Sequence, residues 1–142
     1  MARTIEALRR EVLAANLAIF ERGLARFTFG NVSGIDRERG VVIIKPSGVP
    51  YHALTLNNLV ACDLDGALAA RSLRPSSDLP THLVLYHAFT EIGGIVHTHS
   101  EAAVAWAQAG REIPCFGTTH ADHFHGPVPV TAAMSATQIA SN

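Results

Sequence analysis

Apolar residues recur at three- and four-residue steps through the first 24 positions: Ile5, Leu8, Val12, Leu13, Leu17, Phe20 and Leu24. That spacing predicts an amphipathic helix, with Thr4 placed to cap it, an end near Gly23, and a stripe that lies on a sheet. The period then shortens. Phe27-Thr28-Phe29 and Val41-Val42-Ile43-Ile44 read as strands, the second entered from the polar turn Asp36-Arg37-Glu38-Arg39-Gly40, so the two are expected to pair as a hairpin. A second pair is expected from Leu59 to Leu64 and Ala67 to Ala70 around Asp65-Gly66, a strong hairpin dipeptide. Antiparallel pairing follows. A helix is expected to begin near Asp78, with Pro80 in its first turn and Leu83, Tyr86 and Phe89 on one face. Gly94 to Thr98 reads as a buried strand, and Ser100 as the cap of a helix running through Ala109 to Gly110. Beyond it come a loop over Gly117 to Asp122, a short extended piece at Val128-Pro129-Val130, and a capping-box start at Ser135-x-x-Gln138.

Composition narrows the class. The 142 residues, 48% hydrophobic, suffice for one domain with a core, taken as 1–142. Eleven basic against twelve acidic side chains leave a formal charge of −1. This balance favours neither a nucleic-acid groove nor a polybasic membrane patch, so the expected partner is a small molecule. No apolar run approaches the ~20 residues that span a bilayer. Cys62 and Cys115 do not form a CxxC motif, and the chain opens with a charged amphipathic helix rather than a signal peptide; a cytoplasmic protein is expected. The final capping box announces a helix that barely begins, and the sequence therefore reads as cut short.

The residues that suggest chemistry are histidines. His97 and His99 in Gly-Ile-Val-His-Thr-His-Ser project from one face if the strand is extended, a chelating arrangement, although ordinary polar strand histidines share that pattern. Five of the eight histidines (His97, His99, His120, His123, His125) fall in one region. Three polar clusters, Gly30-Asn31-Val32-Ser33, Lys45-Pro46-Ser47-Gly48 and Pro75-Ser76-Ser77-Asp78, offer hydroxyls and backbone N–H groups. Singly each reads as a turn; together, with a helix starting beside Ser76 and Ser77, they suit a phosphate. Lys45 reads either as a positive charge for that anion or as a solvated strand-end lysine. Asp78 suits a helix cap and a metal-side carboxylate alike, and Asp122 suits a surface carboxylate or a proton shuttle.

These blocks, with Trp106-Ala107-Gln108-Ala109-Gly110 and Gly117-Thr118-Thr119-His120-Ala121-Asp122, run in order through nearly the whole chain. In that order they resemble the L-ribulose-5-phosphate 4-epimerase family, a branch of the class II (zinc-dependent) aldolase group. The resemblance implies an α/β fold, three α/β/α layers around a largely antiparallel sheet, and a ring-like homotetramer with sites at subunit interfaces. It implies Zn2+ as cofactor, with His97 and His99 as ligands and Asp78 at the metal. Gly30, Asn31, Lys45, Ser47, Gly48, Ser76 and Ser77 would bind the sugar phosphate, and Asp122 would be one of two acid/base groups. The implied reaction interconverts L-ribulose 5-phosphate and D-xylulose 5-phosphate. A retro-aldol step breaks the C3–C4 bond, the glycolaldehyde phosphate fragment turns its aldehyde, and re-addition inverts C4.

The family's third zinc histidine and partner tyrosine are expected downstream of residue 142, so the chain is read as lacking its C-terminal third. That expectation leaves the sheet incomplete with an apolar face exposed, an aggregation hazard. Phe29 where tryptophan is usual, His123 after Asp122 where an aromatic is usual, and Ala132 where a basic residue is common are lesser departures. The alternatives are a class II sugar-phosphate aldolase of the fuculose-phosphate type, which would release the fragments, and an inactive truncated fragment.

Overall fold

The computed structural model describes residues 4–70 and 72–137, in two compact units divided between His99 and Ser100. The first unit holds helix α1 (Ile5–Glu21), strands β1 (Asn31–Asp36) and β2 (Val41–Ile44), a 3-10 turn (Tyr51–Ala53), β3 (Val60–Asp63), α2 (Leu79–Ala88) and β4 (Gly94–His97). The sheet runs β3-β2-β1-β4, and every pairing is antiparallel. α1 lies on one face and α2 on the other, which gives the α/β/α layering.

α1 forms where its periodicity places it, and the Thr4 hydroxyl accepts from Ala7 N–H at 3.1 Å as its cap. Its buried face is Leu8, Val12, Asn16 and Ile19, while Phe20 and Leu24 are exposed. Burying Leu8 and Val12 against Ile43 and Leu59 contributes about 1.5–3 kcal/mol each. Asn16 is the polar member of that face. Its side chain accepts from Val32 N–H at 2.9 Å and donates to Val32 O at 3.0 Å and to Val12 O at 2.8 Å. The β1–β2 ladder stops at Ser33↔Ile44, so Asn16 takes the place of a strand partner for the next residue outward.

β1 is buried on both faces. Asn31, Ser33 and Ile35 face α2, while Val32 and Gly34 face α1. At Gly34 a Cβ would stand 2.7 Å from Leu8 Cδ1 and 2.9 Å from Val12 Cγ2. Gly34→Ala is expected to cost about 1–3 kcal/mol through overpacking, read from a lowered urea midpoint. Asp36 ends the strand by accepting from Arg39 N–H at 3.1 Å and pairing with its guanidinium at 2.6 Å; that hydrogen bond holds the carboxyl below its usual range. Arg37 donates to the Phe89, Ile92 and Tyr86 carbonyls, fastening the end of α2 to the hairpin turn.

Several expectations are corrected. Phe27-Thr28-Phe29 is a turn closed by Phe29 N–H to Arg26 O, with Phe27 at φ 55° and largely exposed. The strand that pairs with Val41–Ile44 is the polar-looking Asn31–Asp36, which is stable there because both its faces are covered. Ala67 to Ala70 contributes a single bridge, Cys62↔Leu68, rather than a strand. β4 is an edge strand of half-buried and exposed residues, not a buried one. Phe89 caps α2 and is exposed instead of joining its buried face, which is Leu79, His82 and Tyr86.

In the second unit, α3 (Glu101–Gln108) starts at Ser100, whose hydroxyl makes no capping bond. The segment expected as a loop forms a short helix, α4 (Thr118–Ala121). Ile113 and Val128 exchange two 2.9 Å backbone hydrogen bonds, and the Arg111 guanidinium lies 5.5 Å from the Trp106 ring centroid. The helix start expected at Ser135-x-x-Gln138 falls in part on residues 138–142, which lie outside the described residues. Among the described residues no helix is long and apolar enough to cross a membrane.

Candidate functional site

The first unit contains a cavity of about 450 Å3 lined by residues from each of the three polar clusters and by both histidines of the His-x-His pair. Each wall has a local cause. Gly30, at φ 75°, carries the chain from the Phe27 turn into β1; a Cβ there would meet His97 O at 3.0 Å and Ala25 Cβ at 3.1 Å. Lys45-Pro46-Ser47-Gly48 leaves the end of β2 and is bound antiparallel to Arg74-Pro75-Ser76. Ser47 N–H donates to Arg74 O at 2.9 Å and Ser76 N–H to Lys45 O at 3.0 Å. That pairing sets Ser47, Gly48, Ser76 and Ser77 along one wall, with the start of α2 beside them.

Asp78 occupies the N-cap position of α2, yet its side chain caps nothing. Its Oδ2 instead accepts from Asn31 Nδ2 at 2.6 Å, His97 Nδ1 at 2.8 Å and Ser76 Oγ at 3.3 Å. Burial pulls this carboxyl upward, but the His97 hydrogen bond and charge, with Asn31 and Ser76, outweigh it and hold the group below its ordinary value. When the imidazole is neutral, a carboxylate there makes Nδ1 of His97 the donor and leaves the Nε2 lone pair for a cation. The register Asn31↔His97 brings the two strands' contributions together.

His99 lies two residues past the end of β4, where its N–H donates to Leu24 O at 2.8 Å. The rings still meet: the His97 and His99 centroids are 4.8 Å apart, and Phe29 stacks on His99 at 5.5 Å. Two imidazoles and a neighbouring carboxylate suit a borderline divalent cation, but they are a partial set, since catalytic zinc ordinarily takes three protein ligands. Among the described residues no group of three or more His, Cys, Asp or Glu side chains is spaced to hold a metal. Asn31 Oδ1 is a buried acceptor without a partner there, the kind of unmet polar atom that marks a site rather than a core.

Lys45 is buried, not solvated. Its Nζ donates to Thr28 O at 3.1 Å and Pro46 O at 3.4 Å and lies 5.0 Å from the Tyr51 ring centroid; desolvation lowers its pKa. Ser33, counted with the Gly30 cluster in the sequence, is withdrawn from the cavity: its hydroxyl is 2.7 Å from both His82 Nδ1 and Tyr86 OH. His82 is not legible in the sequence, because a histidine on a helix face carries no mark of what it meets. Asp122 belongs to the second unit, exposed at the end of α4. There His120 Nε2 bonds Gly126 O and His123 Nδ1 bonds Thr119 O, each at 2.9 Å.

Burial pushes the His82 imidazole down to about 4 from 6.5; the Asp78 charge opposes that shift and His97 adds to it. A base whose folded pKa lies below its unfolded one stabilises the fold fully above the unfolded pKa. That stability is lost as pH falls from about 6.5 towards 4. Wild type is expected to lose up to about 3 kcal/mol more across this window than His82→Phe, measured as the difference in urea stability at each pH.

The family model for the class II aldolase and adducin N-terminal domain matches residues 10–141. The chain is 50% identical over 135 residues to a curated protein named L-ribulose-5-phosphate 4-epimerase UlaF from Salmonella paratyphi C (strain RKS4594), covering 95% of this chain and 59% of that protein. The chain thus spans about three-fifths of the length of the curated relatives it matches. Its fold superposes on an L-fuculose 1-phosphate aldolase with TM-score 0.74 and 26% identity, covering 80% of this chain and 54% of the other. The l-fuculose-1-phosphate aldolase of Thermus thermophilus shares the fold, with TM-score 0.74, 23% identity and coverage of 94% and 68%. An antiparallel sheet between two helical layers, a polar cavity at its edge and a match through residues 10–141 agree: the chain belongs to the class II aldolase and adducin N-terminal domain family.

Proposed function

We propose that the chain supplies the phosphate pocket and two metal ligands of a zinc-dependent L-ribulose-5-phosphate 4-epimerase, which interconverts L-ribulose 5-phosphate and D-xylulose 5-phosphate. The observation that carries this reading is the one cavity in which Lys45, Ser47, Gly48, Ser76 and Ser77 stand beside Asp78, His97 and His99. The 50% identity to a relative bearing the epimerase name supports this substrate within the family.

The phosphate is anchored by the Ser47 and Ser77 hydroxyls and by the positive end of α2. Lys45 spends two of its three N–H donors on Thr28 O and Pro46 O, which leaves one, with the charge, for an anion. Asn31 holds the Ser76 hydroxyl and the Asp78 carboxylate in place from 3.1 and 2.6 Å. A zinc ion taken by His97 Nε2 and His99, with Asp78 alongside, would supply Lewis acidity at the ketose carbonyl and its neighbouring oxygen. Anchoring the phosphate keeps the aldehyde fragment bound between C3–C4 cleavage and re-addition, so it turns rather than leaves. Asp122 is assigned one of the two proton transfers at the C4 oxygen, on the strength of the Gly117–Asp122 motif. The working protein is taken to be a cytoplasmic homotetramer.

The test is a coupled assay for D-xylulose 5-phosphate on this 142-residue chain, stripped of metal and reloaded with zinc. Zinc binding through His97 and His99 is expected of this chain, and zinc-dependent product without free glycolaldehyde phosphate where a third protein ligand completes the set. Accumulation of that fragment would favour an aldolase, and neither turnover nor bound zinc would remove the reading.

A further inference from the structure

The sheet face that looks towards the cavity continues inward as a buried hydrogen-bond chain that the reaction outlined above does not use. Ser33, His82 and Tyr86 are each at most 2% exposed, and the Ser33 hydroxyl sits 2.7 Å from both partners. With His82 neutral and Nδ1 accepting, the chain has one consistent direction: Tyr86 O–H donates to Ser33 Oγ, and Ser33 O–H donates to His82 Nδ1.

Its location gives it a consequence. Ser33 follows Asn31 by two residues on the same face of β1, and His82 follows Asp78 by one turn of α2, with His82 N–H bonded to Asp78 O at 3.0 Å. β1 therefore grips α2 at two successive points, Asn31 on Asp78 and Ser33 on His82 and Tyr86. The Asp78 side chain makes no capping bond and the Ser76 hydroxyl accepts from Asp78 N–H at 3.3 Å, so these grips act with Ser76 to set where Asp78 stands when it meets His97. The neighbouring residue on that face, Ile35, packs in the apolar cluster and makes no such polar grip.

We propose that Ser33 is a positioning residue: through the buried Tyr86–Ser33–His82 chain it fixes the first turn of α2, and so the Asp78 carboxylate, against His97. Its catalytic importance rests on the reading of Asp78 and His97 given above; its geometric content does not.

The experiment is side-chain 15N–1H NMR of His97 in the full chain, for wild type, Ser33→Ala, Tyr86→Phe and an Ile35→Val control. Wild type is expected to show the Nδ1–H resonance of an imidazole bonded to a carboxylate. Ser33→Ala is expected to lose or displace it, Tyr86→Phe to displace it less in the same direction, and Ile35→Val to leave it unmoved. Zinc affinity is expected to fall about tenfold or more in Ser33→Ala. An unshifted resonance in Ser33→Ala, or an equal shift in Ile35→Val, overturns the proposal. Should Ser33→Ala fail to fold, Tyr86→Phe decides in the same way. If the resonances behave as expected but no variant and no wild type turns over L-ribulose 5-phosphate, the positioning role stands and the substrate assignment fails.

Discussion

His97→Ala is expected to bind zinc on the order of 100-fold or more weakly than wild type, with zinc-supported turnover falling at least as far. The reason lies in what converges on this side chain. Its Nδ1 is held by Asp78 at 2.8 Å, its ring faces His99 at 4.8 Å, and its strand position is registered to Asn31. Removing the imidazole deletes one of the two proposed metal donors and strips Asp78 of the strongest of the partners that offset its burial. Asp78→Asn is expected to do less, about 10–100-fold, since the imidazole stays but the atom facing Nδ1 loses its charge. Equilibrium dialysis against zinc ranks the two. Wild-type affinity in His97→Ala would end the ligand assignment.

Asn16→Leu is expected to cost about 2–5 kcal/mol, the largest effect on stability foreseen for a single side chain in this fold. Leucine matches the helix periodicity and fits the apolar stripe, so periodicity alone would rate the change as harmless or favourable. The structure reverses that judgement. Asn16 bonds both the N–H and the C=O of Val32, a 4% exposed residue, and the substitution leaves both backbone groups buried without a partner. Against a total of about 5–15 kcal/mol, such a loss puts the fold near its threshold. Urea unfolding decides it: a change below about 1 kcal/mol would mean that Val32 finds another partner.

The two cases show which parts of the molecule are legible in its sequence. α1 and its cap, the helix beginning at Asp78, antiparallel pairing and the strand carrying His97 all follow from period and punctuation, because local backbone preference and one-sided burial decide them. β1 does not. Asn31 and Ser33 read as a polar turn because their burial is balanced by partners that lie elsewhere in the chain, Ser76 and Asp78 for the first and His82 and Tyr86 for the second. Phe27 and Phe29 mislead in the opposite sense: they look like a strand, yet the chain spends them on a turn whose second aromatic stacks on His99. The candidate site was visible as residue types, since Gly30, Ser47, Ser76 and His97 sit in turn-like or strand-end motifs. What those motifs do not disclose is use. Asp78 serves His97 rather than the helix, and Lys45 is anchored inside the loops rather than displayed to water.

β4 delivers His97 from the sheet edge, hydrogen-bonded to one neighbouring strand among the described residues, whereas Asp78 stands at the start of a helix packed on the apolar core cluster. The two halves of the site therefore differ in how often their backbones open. Amide hydrogens of β4 should exchange with deuterium well before those of β2, and a ligand that joins His97 to Asp78 would slow the exchange at the edge more than anywhere else in the sheet. Binding would then be recorded as protection of four residues, Gly94 to His97, a signal that needs neither turnover nor a spectroscopic label.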